Sequence, residues 1–278
     1  MEAFLTASSH HELYATRVAA SAVGPHGYLT LPHLIRLFQE VALRNTDRLG
    51  IASSDLMQDY GLTWVLHRQL IDTERWPRLG EPITVVTVPT RIERKLITYR
   101  DFYLLDANNK IVVRSTSAWS VMHYDSRRLR HMPQNLIDLL DDLPPAQTHL
   151  SLPEQKPTAP QTATAERHFN VDFARLDFNN HLTNPAYAEL MIEPLGEKFL
   201  STHSPTHADI SYHHEARYGE KIRAVTAPLS GDHQTSFGHA LLRGDTTLAT
   251  MRTNWLSLPR NFAAPAAPPI SEDGSGAK

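Results

Sequence analysis

At 278 residues, with no cysteine and a formal net charge of −3, the chain excludes disulfides, thiolate metal sites and a cysteine nucleophile. It also lacks the overall basic field that would hold nucleic acid or an anionic membrane. The length suits two ordinary domains, and no apolar run reaches the roughly 18 residues of a membrane span, so the expectation is a cytoplasmic protein with no membrane span and no nucleic-acid partner.

In chain order, His11 to Ser21 reads as a first strand, with Leu13, Val18 and Ala20 among polar residues. Pro32 opens a helix in which Leu34, Ile35, Leu37, Phe38, Val41 and Ala42 form a wide apolar stripe, and Gly50 stands as its C-terminal cap. Leu62 to Ile71, Pro82 to Thr90, Thr98 to Leu105 and Ile111 to His123 are strand-like, rich in Val, Ile, Thr, Tyr and Trp. One helix followed by a run of strands predicts an α+β domain over residues 1–150, with the helix packed on an antiparallel sheet. Residues 151–165, with Pro153, Pro157 and Pro160 and few large apolar side chains, read as a linker. A second domain is expected over 166–260, and 261–278, rich in Pro, Ala, Gly and Ser, as a disordered tail.

The second half repeats the first. Gly27-Tyr28-Leu29-Thr30-Leu31-Pro32 aligns with Asn180-His181-Leu182-Thr183-Asn184-Pro185 at an offset of 153 positions, as do Leu37 and Glu40 with Leu190 and Glu193. Gly80-Glu81-Pro82-Ile83 aligns with Gly219-Glu220-Lys221-Ile222 at 139, and Trp119 with Trp255 at 136. Extra residues around Ile51 to Tyr60 in the first copy account for the fall in offset. Under these offsets His181 faces Tyr28, Asn179 faces His26 and Glu215 faces Trp76. Only the second copy carries the polar set, which places a single reactive site there and leaves the first copy to bind substrate.

Asp177, Asn179 and His181 alternate along the chain just before a helix start, where Asn184 serves as N-cap and Pro185 takes the first helical position. A carbonyl oxygen at that helix end would be polarised by exposed N–H groups. The same residues also fit a plain turn with a buried histidine, and spacing alone does not decide between the two. Glu215 ends the strand-like Ile210 to His214 and reads either as a general base for water or as a solvated strand-end charge. His213 and His214 point to opposite faces of a strand and do not make a metal set, so no metal and no cofactor is expected. Arg127, Arg128 and Arg130 form the clearest basic cluster, either a solvated strand end or a surface for an acidic protein partner. No G-x-S-x-G elbow, phosphate loop or dinucleotide fingerprint is present.

Asp177-Phe178-Asn179-Asn180-His181-Leu182-Thr183-Asn184-Pro185-Ala186-Tyr187 resembles the D-x-N-x-H-V-N-N-x-x-Y signature of plant and bacterial acyl-acyl carrier protein thioesterases. Phe38-Gln39-Glu40-Val41-Ala42, the strand at Trp64, Arg75-Trp76-Pro77 to Gly80, and Ser117-Ala118-Trp119 through Arg127-Arg128-Leu129 to Pro133 extend the likeness over residues 10–258. The resemblance implies a tandem hotdog, each half a central helix wrapped by an antiparallel sheet. It implies a site of Asp177, Asn179, His181 and Glu215, with Asn184 at the substrate. Leu34, Leu37, Phe38 and Trp64 are then candidates to line an acyl-chain cavity in the first domain. The partner implied is an acyl carrier protein with a phosphopantetheine-linked chain, met by Arg127, Arg128 and Arg130; a homodimer is compatible. Thr183 stands where the family has asparagine, and Ala216 where many plant members have cysteine, which excludes a thiol mechanism. No plastid transit segment is recognisable, pointing to a bacterial-type or mature form. The implied reaction is hydrolysis of fatty acyl thioesters, ending fatty acid synthesis, with either Glu215 or His181 taking the proton. Acyl-coenzyme A hydrolysis, dehydration through His181, and acyl binding without catalysis are the rival readings.

Overall fold

The computed structural model describes residues 9–139, 143, 150–229 and 235–258. The residues expected as a tail, 261–278, lie outside them, as do most of 140–149. The first half contains β1 (Glu12–Arg17), α1 (Leu31–Arg48), α2 (Ser53–Tyr60), β2 (Leu62–Thr73), β3 (Pro82–Glu93), β4 (Ile97–Leu105), β5 (Ile111–His123), β6 (Leu129–Arg130) and α3 (Gln134–Leu139). After an irregular segment come β7 (Ala165–Asn170), α4 (Asn184–Ile192), α5 (Glu197–Leu200), β8 (His203–Tyr212), β9 (Lys221–Pro228), β10 (Thr235–Arg243) and β11 (Thr246–Ser257).

The strands join into one 11-stranded sheet in the order β1-β3-β4-β5-β2-β8-β11-β10-β9-β7, with β6 beside β5. The order is a palindrome: β1, β3, β4, β5 and β2 of the first half mirror β7, β9, β10, β11 and β8 of the second. The counterparts β2 and β8 meet at the centre, antiparallel, from Arg68 against Ser211 to Asp72 against His207. There Arg68 and Asp209 form a bidentate pair, at 2.8 and 2.6 Å, with both side chains 6% exposed. Two further Arg68 donors are taken by the Pro153 and Gln155 carbonyls of the irregular segment, which offsets the cost of burying the guanidinium.

Helices α1 and α4 pack side by side under the sheet. Leu34, Ile35, Phe38 and Val41 of α1 and Ala186, Tyr187, Leu190 and Met191 of α4 enter one continuous core. On the outer side Arg36 bonds Glu189 at 3.1 Å, linking positions related by the 153 offset. Helix α4 ends at Ile192, where Pro194, which has no N–H to continue the ladder, sits in a 3-10 turn. Helix α2 supplies the insertion anticipated around Ile51 to Tyr60. Among the described residues no helix is long and apolar enough to cross a membrane.

The backbone reproduces the repeat bond for bond. The bridge Val23–Leu29 recurs as Leu176–Leu182, and Tyr28–Arg78 as His181–Arg217. Leu29 N–H donates to Pro77 O as Leu182 N–H does to Ala216 O. Gly27 (φ 77°) is replaced by Asn180 (φ 60°), and Gly80 (φ 77°) recurs as Gly219 (φ 78°), because each turn needs the left-handed conformation that Gly and Asn adopt most readily.

Candidate active site

The central strands diverge on one side. β2 pairs with β5 from Leu62 onward, but with β8 only from Arg68, so its first residues have no neighbour on the β8 side. Beyond Tyr212 the chain leaves β8 for His213, His214 and Glu215. The resulting notch opens into a cavity of about 690 Å³ between Leu66 and His67 on one wall and Tyr187, Tyr212 and Glu215 on the other.

The turn before α4 forms one rim. Asp177 Oδ1 accepts the backbone N–H groups of Asn179 (2.8 Å) and His181 (3.2 Å), and Asn180 N–H returns to Asp177 O. The Asp177 carboxylate therefore fixes the loop that presents Asn179 and His181, an Asx-type turn. Asn179 lines the cavity, and its side-chain amide makes no hydrogen bond among the described residues. His181 Nε2 lies 3.3 Å from Glu215 Oε1. Burial lowers the His181 pKa from its ordinary value, Arg127 and Arg217 lower it further, and Asp177 opposes them; the ring is neutral at neutral pH.

Glu215 is gathered by cations. Arg217 donates to its Oε1 at 2.9 Å, and Arg127, 88 positions earlier, bonds its Oε2. Arg243 donates to the Glu215 backbone carbonyl and to both oxygens of Glu220. Tyr187 reaches down from α4 to donate to His214 O at 3.1 Å, edge-on to the Tyr212 ring.

A second cavity, about 370 Å³, lies between α1 and the sheet of the first half, bounded by Ile51, Pro89, Tyr99 and Arg100 and closed on one side by the second half's turn at Asp177 to Asn184. Trp64, Trp119, Asp177, Asn179 and Asn184 line both cavities, so the polar notch and the more apolar chamber share a wall. Arg100 is sealed against Asn45 (2.7 Å) and Thr87, and burial pushes its pKa down to about 10.

Asp177, Asn179, His181, Asn184 and Glu215 thus come together, and Trp64 lies where the two cavities meet. Three expected lining residues do not. Leu34, Leu37 and Phe38 border neither cavity: Leu34 and Phe38 are sealed in the core, with Phe38 stacked on Phe102 at 4.7 Å, and Leu37 packs against that core. The apolar stripe of α1 faces the sheet, while its Gln39, Leu43 and Thr46 side borders the chamber. Asn184 is the first residue of α4 rather than its cap; Thr183 holds the cap position. Because Pro185 has no N–H and Ala186 N–H bonds Thr183 O, the helix start offers a ligand fewer donors than expected. Arg127 turns into the cavity, whereas Arg128 and Arg130 stay exposed outside it. Arg217 was missed from sequence although it stands two positions after Glu215, and His67 was missed because only the bulge between Leu66 and Arg68 reveals its place.

Two helices wrapped by one palindromic sheet, with a polar notch where its central strands diverge, define a tandem hotdog protein. Solved structures share the fold: a 12:0-ACP thioesterase from Umbellularia californica, 19% identical with TM-score 0.81, matches 90% of this chain and 99% of that one. An acyl-ACP thioesterase from Bacteroides thetaiotaomicron, 18% identical with TM-score 0.77, matches 89% and 98%. The family descriptions for the acyl-ACP thioesterase N-terminal and C-terminal domains match residues 8–140 and 158–257. The chain belongs to the acyl-ACP thioesterase family. Among its relatives are the chloroplastic oleoyl-acyl carrier protein thioesterase of Coriandrum sativum, 26% identical over 74% of this chain, and an acyl-[acyl-carrier-protein] hydrolase, FATB3, of Cuphea viscosissima, 23% identical over 91%. The chain spans 59% and 64% of those two proteins' lengths.

Proposed function

We propose that this chain hydrolyses fatty acyl thioesters carried on acyl carrier protein, releasing the fatty acid and the carrier's thiol and so ending chain growth. The observation that carries this reading is the grouping of Glu215, His181 and Asn179 in one cavity that shares a wall with an apolar chamber. A thioester carbonyl seated in the notch would accept a hydrogen bond from the Asn179 amide, whose donors are uncommitted. Glu215 takes a proton from water as the hydroxide oxygen bonds to the carbonyl carbon. When the C–S bond breaks, that proton passes to the departing sulfur, so one water is consumed for each acid and thiol formed. Neutral His181 steadies Glu215, and Asp177 holds Asn179 and His181 through their backbone N–H groups.

In the first half the chamber beside Ile51, Trp64, Tyr99 and Trp119 takes the acyl chain. Arg128 and Arg130, exposed beside the notch, receive the acidic carrier. The names of the relatives support the carrier protein over coenzyme A. The test is thiol release by the purified protein from a matched panel of acyl-carrier and acyl-coenzyme A thioesters of graded chain length. Faster kcat/KM on the carrier series is expected. Thioesters that bind and survive overnight would establish a binding module instead.

A further inference from the structure

The second half does not complete its own site. On Glu215, Oε1 has Arg217 at 2.9 Å and His181 at 3.3 Å, both from the second half. Among the described residues, the partner of Oε2 comes from the first half: Arg127, in the hairpin between β5 and β6. That hairpin is tied down at several points. His123 N–H donates to Arg128 O at 2.9 Å, Arg127 N–H to His123 O at 3.0 Å, and Tyr124 N–H to Gly61 O at 2.9 Å. Arg127 itself takes φ 54°, a left-handed conformation that disfavours a non-glycine residue, so the hairpin holds it in place against its own preference.

We infer that Arg127 is a positioning residue for the Glu215 carboxylate, supplied by the first half of the chain to the reactive site of the second. This role rests on the hydrolase reading above. A carboxylate has about four lone-pair directions. With Oε1 occupied by Arg217 and flanked by His181, and one direction of Oε2 filled by Arg127, one direction of Oε2 is left to accept from a water in the cavity that Glu215 lines. A planar guanidinium fixes the direction of the N–H it donates as well as supplying charge; an ammonium on a flexible stem supplies charge with less direction. The neighbouring Arg128 and Arg130 touch neither the cavity nor Glu215, which separates Arg127 from a general docking cluster.

The charges that bear on Glu215 are Arg127, Arg217 and His181 at its carboxylate, Arg243 at its carbonyl, and Asp177, His214 and Glu220 around the same cavity. Removing Arg127 takes away a cation that favours the ionised carboxylate. It also relieves the Coulombic lowering of His181 by Arg127. His181 then gains its proton at higher pH, so an acid limb governed by the neutral ring moves upward.

The experiment compares wild type, Arg127→Ala and Arg127→Lys on a carrier-bound acyl thioester and on the same acyl group on pantetheine, with near-ultraviolet circular dichroism to verify folding. For Arg127→Ala, kcat is expected to fall roughly ten-fold on both substrates, with KM within about two-fold. Its acid limb is expected to move to higher pH. Arg127→Lys is expected to recover part of the rate and most of the pH shift. A rise in KM confined to the carrier substrate, with kcat and pH profile unchanged, would make Arg127 a docking residue and overturn the role. An increase in kcat would overturn it too, showing the contact to be inhibitory. Wild-type protein that releases no thiol overturns the hydrolase reading and this role with it, whereas an active wild type matched by Arg127→Ala overturns the role alone.

Discussion

The two halves share a backbone and differ in the polar groups they carry on it. Where the first half has Trp76, buried and donating to Pro205 O at 2.8 Å, the second has Glu215 held among charged groups. Where the first has Tyr28 beside Arg78, the second has His181 beside Arg217. The contrast continues into the core. The register partner of Thr87 is Phe102, stacked on Phe38; that of its counterpart Thr226 is His239, hydrogen-bonded to Thr226 and Thr253. Trp119 and Trp255 keep the same hydrogen bond: each donates to a hydroxyl two positions earlier, Ser117 or Thr253, at 2.7 Å. The lesson is that the scaffold accommodates apolar side chains in one half and polar ones in the other at equivalent points, and that the exchanges around the notch are the ones the proposed reaction uses.

The halves depend on each other most at their seam, and the largest effect is expected there. Asp209→Ala leaves Arg68 buried without its carboxylate and is expected to cost about 3–5 kcal/mol in denaturant unfolding. A loss under 1 kcal/mol would mean that the seam does not rely on this pair. The next effect is a pH dependence specific to the second half. Burial pushes the pKa of His239 down to about 3, so the unfolded state binds a proton that the folded state refuses between about pH 6.5 and pH 3. Its contribution to stability is full above the unfolded value and declines as pH falls through this window. His239→Gln, read by unfolding at pH 7 and pH 4.5, is expected to flatten that decline relative to wild type. Asp177→Ala removes the acceptor for two backbone N–H groups and is expected to lower kcat roughly ten-fold, close to 1.4 kcal/mol, with little change in KM. The smallest effect belongs to the first half: Trp76→Phe loses one hydrogen bond to Pro205 O and is expected to cost about 1 kcal/mol of stability.

Much of this organisation was legible in the sequence because it is local. Gly27, Asn180, Gly80 and Gly219 mark turns whose left-handed backbone is dictated within a few residues, and the offsets of 153 and 139 carried through to matching hydrogen bonds. Asp177, Asn179 and His181 were grouped by their alternation along an extended segment, whereas the structure puts them on a turn closed by the Asp177 carboxylate. What was not legible depends on contacts between distant segments. The meeting of β2 with β8 sets the notch, yet nothing in Leu62 to His67 announces that its β8 side is open. Arg127 looked like a surface charge because its partner is 88 positions away. Leu34 and Phe38 were expected at a cavity because periodicity identifies an apolar face but not whether that face meets a sheet or a ligand.

The central claim is that one half alone performs the chemistry on a scaffold common to both. It is tested most directly by measuring thiol release from a carrier-bound acyl thioester by Glu215→Gln and Trp76→Phe, the same structural position in the two halves. Glu215→Gln keeps the shape and removes the base, so kcat/KM is expected to fall at least about 100-fold, while Trp76→Phe stays within about two-fold of wild type. Comparable losses in both variants, or full activity in Glu215→Gln, would contradict the account.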